Sequence, residues 1–204
     1  MKAFVIRIIL LSVVLISCDK KPEIKTKSCC SKENQAEKAH IIPGESVYNL
    51  TSTWITQQNK SIRLSYFENK IVIAAMVFTH CESACPRIVA DMQRIESSLS
   101  QKELQQVTFL LISMDPERDT PARLTEFAAE HKLNTNWTLI CSNQDATMEI
   151  ANVLGVKVKK LEGGGFDHSN IIHVFNKDGV IGYQQNGFAE DLSECIQAIR
   201  TLLE

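Results

Sequence analysis

The sequence predicts an α/β fold built on a largely parallel sheet, and three observations carry that prediction. Residues 71–78 form an unbroken apolar run and Val107–Ser113 a second apolar, β-rich one, which suit strands covered on both faces better than half-exposed ones. A segment with helical spacing follows each run, so strand and helix alternate as in βαβ units. Near the C-terminus, Asn176-Lys-Asp-Gly179 separates two short β-rich segments and marks a hairpin turn, so the sheet ends antiparallel.

In chain order, residues 47–53 begin with alternating character, and Gln57-Gln-Asn-Lys60 supplies a turn before Ile62-Arg-Leu64. An opening hairpin or two short strands are expected there. The strand at 71–78 leads through Thr79-His80-Cys81-Glu82-Ser83-Ala84-Cys85-Pro86 into a helix. Pro86 suits a first helical turn, and Ile88, Val89, Met92, Ile95 and Leu99 recur on one face. After Val107–Ser113, Thr120-Pro121 gives an N-cap and a first-turn proline to a helix carrying Leu124, Phe127 and Ala128. Trp137-Thr-Leu-Ile-Cys141 reads as a further strand, and residues 145–154 as a helix ended by Gly155 in a left-handed cap. Strands at 171–175 and 180–183 flank the hairpin turn. The last helix is expected from about residue 189, with Leu192, Cys195, Ile196, Ile199 and Leu203 on one face. The series resembles a thioredoxin-like fold with an added N-terminal hairpin and helix insertions, without a repeat or a second domain.

The first 18 residues are read as a signal segment. Lys2 and Arg7 precede an almost wholly apolar stretch at 8–16, short of the roughly 20 residues a spanning helix needs. Leu15-Ile16-Ser17-Cys18 looks like a bacterial lipoprotein processing site, which would make Cys18 the lipid-modified residue of an extracytoplasmic lipoprotein held at the membrane on the periplasmic side. A short uncleaved anchor is the alternative, and it leaves the domain on the same side. Residues 19–40 hold six lysines and four acidic residues and form a polar linker. Within it, Cys29 and Cys30 are adjacent, a spacing at which a relaxed disulfide between them is rare. Residues 41–204 are enough for one domain with a full core. A formal net charge of −2 without a basic surplus gives nucleic-acid binding no support.

Chemistry concentrates at Cys81 and Cys85. Both flank a helix N-terminus, where unpaired N–H groups favour thiolate. Residues four apart on a helical turn lie about 6 Å apart, near enough for a disulfide or for two thiolates on one metal. In a thioredoxin-like fold a distant ligand comes from the loop before the antiparallel hairpin, here Gly163-Gly-Gly-Phe-Asp167-His168-Ser169. His168 is therefore the third ligand candidate. Two thiolates and an imidazole suit Cu(I), and would hold zinc if a fourth ligand were supplied. His80, His173, Cys141 and Cys195 are read as structural, the last two as buried core thiols. The turn Asp115-Pro-Glu-Arg-Asp119-Thr-Pro121 is read as positioning and capping the following helix, with Asp115 and Asp119 as candidates to influence the metal or a partner.

Three motifs, Phe78-Thr-His-Cys81-Glu-Ser-Ala-Cys85-Pro86, Ser113-Met-Asp115-Pro-Glu-Arg-Asp119-Thr-Pro121 and Asp167-His168-Ser169, resemble in order and separation those of the Sco/SenC family. The resemblance covers roughly residues 48–204. It implies a thioredoxin-like domain held at a membrane, one copper, Cu(I) or Cu(II), bound by Cys81, Cys85 and His168, and a role in building the binuclear copper centre of cytochrome c oxidase. The implied partners are the oxidase's copper-centre subunit, a copper donor and a thioredoxin-like reductant. Glu82-Ser83-Ala84 departs from the proline and acidic residue the family often has between its cysteines, and Cys29, Cys30 and Cys141 lie outside the family core. The alternative is a thiol-disulfide oxidoreductase of the thioredoxin superfamily with Cys81 and Cys85 redox-active. Against it, the cysteine spacing is one residue too long, and no proline follows Pro121 to lie opposite the cysteines. A peroxide-reducing enzyme is weaker still, since Arg87 is the one loose candidate for its activating cation.

Overall fold

A computed structural model describes residues 41–162 and 165–204. Cys18, the linker with Cys29 and Cys30, and the glycines at 163 and 164 lie outside the described residues. The elements run β1 (Trp54–Thr56), β2 (Ser61–Ile62), β3 (Ile71–Val77), α1 (Ala84–Ser98), α2 (Gln101–Leu104), β4 (Val107–Ser113), α3 (Pro121–Glu130), β5 (Trp137–Cys141) and α4 (Gln144–Val153). They continue with β6 (Val158–Lys160), β7 (Phe166–His168), β8 (Ile171–Phe175), β9 (Ile181–Asn186) and α5 (Ser193–Leu203). Seven strands form one sheet in the order β2-β1-β5-β4-β3-β8-β9, and β6 and β7 form a separate two-stranded ribbon. The strands β3, β4 and β5 are parallel, while β8 and β1 join them antiparallel. This is the expected thioredoxin-like α/β architecture, with the β1–β2 hairpin as its N-terminal addition.

Every residue of β3 and β4 is buried, because helices cover both faces of the sheet. On one face Phe109 stacks on Trp137, whose indole N–H donates to Glu96 of α1 at 2.9 Å. On the other, Val72, Leu110 and Ile112 line a small apolar cavity with Ile150 of α4. The crossovers β3–α1–β4 and β4–α3–β5 step the same way across the sheet, so right-handed connections place α1 and α3 together. The Gln93 side chain on α1 donates to the His131 carbonyl just beyond α3 at 2.8 Å.

Local signals account for most element ends. Thr120 Oγ1 accepts from Arg123 N–H at the start of α3, with Pro121 in its first turn. Gly155, at φ +67°, closes α4: its N–H bonds the Asn152 carbonyl and the Val156 N–H bonds that of Ala151, the reciprocal pair of a Schellman cap. Three expectations need correcting. Residues 47–53 do not open as a strand. Val47–Asn49 is a 3₁₀ turn capped by Ser46, with the N–H groups of Val47, Asn49 and Leu50 on the Gly179, Ser46 and Val47 carbonyls, so this backbone is satisfied away from the sheet. The last helix starts at Ser193 rather than near 189, since Arg94 of α1 takes the Ala189 and Glu190 carbonyls at 3.0 and 2.8 Å. Finally, His168 is not in a free loop but ends β7, paired with Val158 of β6. Among the described residues no helix is long and apolar enough to cross a membrane.

Candidate metal centre

The strand β3 runs out at Val77, and the chain turns sharply before α1. Cys81 N–H donates to the Phe78 carbonyl at 3.1 Å, closing the turn, and Phe78 N–H points at Cys85 Sγ at 3.4 Å. Ser83, the residue before α1, makes no side-chain cap. The Cys81 sulfur supplies one instead, accepting the Cys85 N–H at 3.3 Å. Both thiols are free, Cys81 half-buried and Cys85 buried in the first turn of α1.

Their electrostatics differ. Burial pushes the Cys81 thiol up, but the N–H groups of Cys85, Ser83 and Ala84 and the Cys85 thiol outweigh it and hold its pKa below the ordinary value. Burial pushes Cys85 far up, against the opposing Phe78 N–H and with the help of neighbouring Cys81. A negative charge on the pair is therefore carried first by Cys81.

The β6–β7 ribbon brings the histidine to this turn. Ser169 N–H bonds the Lys157 carbonyl at 3.0 Å and continues the ribbon past His168. The Phe78 ring packs edge-on to Phe166, with centroids 5.2 Å apart, and to the His168 imidazole at 6.1 Å. His168 Nδ1 lies 3.1 Å from the Ser169 carbonyl. A carbonyl only accepts, so this bond assigns the proton to Nδ1 and leaves a lone pair on Nε2. Nε2 lies 4.0 Å from Cys85 Sγ.

The two sulfurs and one His168 ring nitrogen all fall within 4.8 Å of one another. Cys81 and His168 border a cleft of about 430 Å³ lined also by His80, Glu82, Leu161 and Asp167, and Cys85 lies buried behind them. A lone pair already aimed inward beside two soft sulfurs fits a soft, low-coordinate cation such as Cu(I). The fold separates the other sequence candidates from this cluster. His173 is buried in β8 with Nε2 on the Leu154 carbonyl, Cys195 is in the core, and Cys141 points at the Ile55 carbonyl. His80 lines the cleft but belongs to a different group, with Asp115 and Asp119. Sequence reasoning gave no role to Thr79, Ser113 or Arg123: Asp119 and Arg123 hold Thr79 from behind, and Ser113 bonds Asp119. The charged turn at 115–121 was the one signal pointing there.

Comparisons with known proteins agree with this picture. A family model described as SCO1/SenC matches residues 46–204. The SCO1 protein homolog of Bacillus subtilis (strain 168) is 29% identical over 139 residues, spanning 66% of this chain and 72% of that protein. The crystal structure of a SCO1/SenC family lipoprotein from Bacillus anthracis str. Ames aligns with TM-score 0.70 at 21% identity, covering 78% of this chain and 96% of that one. Bradyrhizobium japonicum ScoI with copper bound aligns with TM-score 0.64 at 20% identity, covering 74% and 96%. The two solved structures bear on the fold, and the match across the whole C-terminal domain bears on descent: this chain belongs to the SCO1/SenC family.

Proposed function

We propose that this chain is an extracytoplasmic copper chaperone and thiol reductant that binds one copper through Cys81, Cys85 and His168 and serves assembly of the binuclear copper centre of cytochrome c oxidase. The observation that carries the reading is the convergence of two sulfurs and a lone-pair-bearing imidazole nitrogen within 4.8 Å, with Cys81 and His168 facing an open cleft. The copper-bound ScoI relative supports copper as the cargo. Anchoring through a lipid on Cys18, with residues 19–40 as the tether, completes the proposal.

Reduced Cys81 and Cys85 supply thiolates, and His168 supplies neutral Nε2. The ordinary proton on Cys85 is held tightly, so loading must displace it, and affinity falls as pH falls. His168 rests on its own ribbon, so acceptor thiolates can replace it without disturbing the cysteine turn. A titration of the full chain in detergent with Cu(I), against a competing chelator and without oxygen, tests this. One tight site, weakened in each of Cys81→Ser, Cys85→Ser and His168→Ala and weaker at lower pH, is expected. A site indifferent to His168 would sink the reading.

The unequal thiols favour a second activity on the same residues. The Cys81 thiolate attacks a partner disulfide, forming a mixed disulfide and releasing one partner thiolate. Cys85, losing its proton to solvent, then attacks the Cys81 sulfur and releases the second. The partner is reduced by two electrons, the Cys81–Cys85 pair is oxidised, and a thioredoxin-like reductant restores it. His168→Ala is expected to spare this exchange while crippling copper retention; equal loss of both would undo the separation.

A further inference from the structure

Thr79 stands between β3 and Cys81, and its polar atoms are engaged from two sides. Its N–H lies 3.3 and 3.2 Å from the two Asp119 carboxylate oxygens, and its hydroxyl donates to Oδ1 at 2.6 Å. From the other side Arg123 donates Nε to Thr79 Oγ1 and a terminal nitrogen to the Thr79 carbonyl, each at 3.1 Å. Because the hydroxyl proton goes to Asp119, Oγ1 acts as acceptor toward Arg123 and toward His80 Nδ1, 3.1 Å away.

Both grips are themselves anchored. Asp119 accepts the Ser113 hydroxyl at 2.6 Å at the end of β4, and Arg123 is tied to Glu130 at 2.7 and 3.1 Å on α3. The next residue back, Phe78, bonds both cysteines through its backbone. Whatever fixes residues 78 and 79 therefore fixes the sulfurs.

A purely architectural role does not explain this arrangement. The ladders to β4 and β8 already hold β3. The hydrogen-bond donors described for Asp119, from Thr79 and Ser113, are neutral, with the exposed His80 Nδ1 farther off at 3.8 Å, and a buried carboxylate so surrounded costs stability that apolar side chains would not. The cost is incurred at the residue that orients the cysteine turn.

We infer that Asp119 and Arg123 are positioning residues for the metal-binding turn, acting through Thr79 to hold the Cys81 and Cys85 sulfurs within reach of His168 before any metal arrives. This rests on the copper reading above. Outer partners that orient ligands are worth about 10- to 100-fold in metal affinity.

The test compares the full chain in detergent with Thr79→Val, Asp119→Ala and the conservative Thr79→Ser, using two readouts at a temperature where each variant is folded by circular dichroism. These are Cu(I) affinity by competition and the reduction potential of the metal-free Cys81–Cys85 couple. Expected are a 10- to 100-fold affinity loss in Thr79→Val and Asp119→Ala, roughly the size seen for outer-partner changes, a shifted potential in both, and return of both readouts in Thr79→Ser. Thr79→Val, nearly isosteric, keeps the test open if Asp119→Ala fails to fold. Wild-type values of either readout in Thr79→Val overturn the inference, as does a Thr79→Ser variant as impaired as Thr79→Val. If the wild-type chain takes up no Cu(I), the copper reading is what has failed, and the potential alone then decides the clamp.

Discussion

His173 occupies the middle of β8, with no exposed surface, its Nε2–H on the Leu154 carbonyl at 3.0 Å and its ring stacked near Phe175. Burial holds its pKa below the ordinary value, so the folded protein keeps this imidazole neutral where the unfolded chain takes a proton. Stability from this source is fully present above the unfolded pKa of about 6.5 and declines as pH falls toward the lower folded value, by at most about 1.4 kcal/mol per pH unit. Urea midpoints measured from pH 7 to 5 should fall in the wild type and fall less steeply in His173→Gln. Parallel slopes would place the acid sensitivity elsewhere. The sequence placed His173 in a strand and left its face open, since one alternation step decides between core and solvent and only the partner strands settle it. Cys81, Cys85 and His168 were legible because their identities and order are local facts in two short motifs. The roles of Thr79, Ser113 and Arg123 were not, since Thr79 meets Asp119 and Arg123 only once β3 and β4 are side by side, and Ser113 enters only through Asp119.

Among the elements, α4 shows how a single backbone dihedral is written in the sequence. Gly155 sits at φ +67° with nothing within 4 Å of where a Cβ would stand, so a side chain there meets backbone strain and no clash. Gly155→Ala should therefore destabilise by about 1 kcal/mol, visible as a lower Tm, and leave Cu(I) affinity unchanged. A neutral Tm would mean that the cap relaxes. The cap was readable because glycine's freedom is intrinsic. The start of α5 was not: its apolar spacing extends backward over residues whose carbonyls Arg94 of α1 claims, so a tertiary bond moves the boundary. The β6–β7 ribbon was hidden for another reason. Its strands are three residues each, too short to show a period, and the glycine run between them reads as loop.

For the molecule as a whole, alternation of buried strand and helix was enough to foretell the parallel core, because two covered faces demand unbroken apolar runs and short helical crossovers demand a common direction. Strand order at the edges was beyond it. Besides β2, β1 pairs with β5 rather than with β3, and Gln57 secures that edge, its side chain bonding the Trp137 carbonyl and the Leu139 N–H and its own N–H the Leu139 carbonyl. The candidate centre straddles two supports that share no backbone ladder: the sulfurs stand on the end of the seven-stranded sheet and helix α1, the imidazole on a two-stranded ribbon touching that end through Phe166 and Phe78. An ion bound by both is then a rivet between two plates, and its arrival should be felt mechanically by the smaller one. Amide hydrogen exchange offers the gauge. With Cu(I) added, amides of Val158–Lys160 and Phe166–His168 should slow markedly while those deep in β3 and β4 hold their already low rates, and in Cys81→Ser the ribbon should stay as loose as before. The protein's hold on such an ion would then be limited by how readily the two-stranded ribbon hinges away, not by the strength of the sheet behind it.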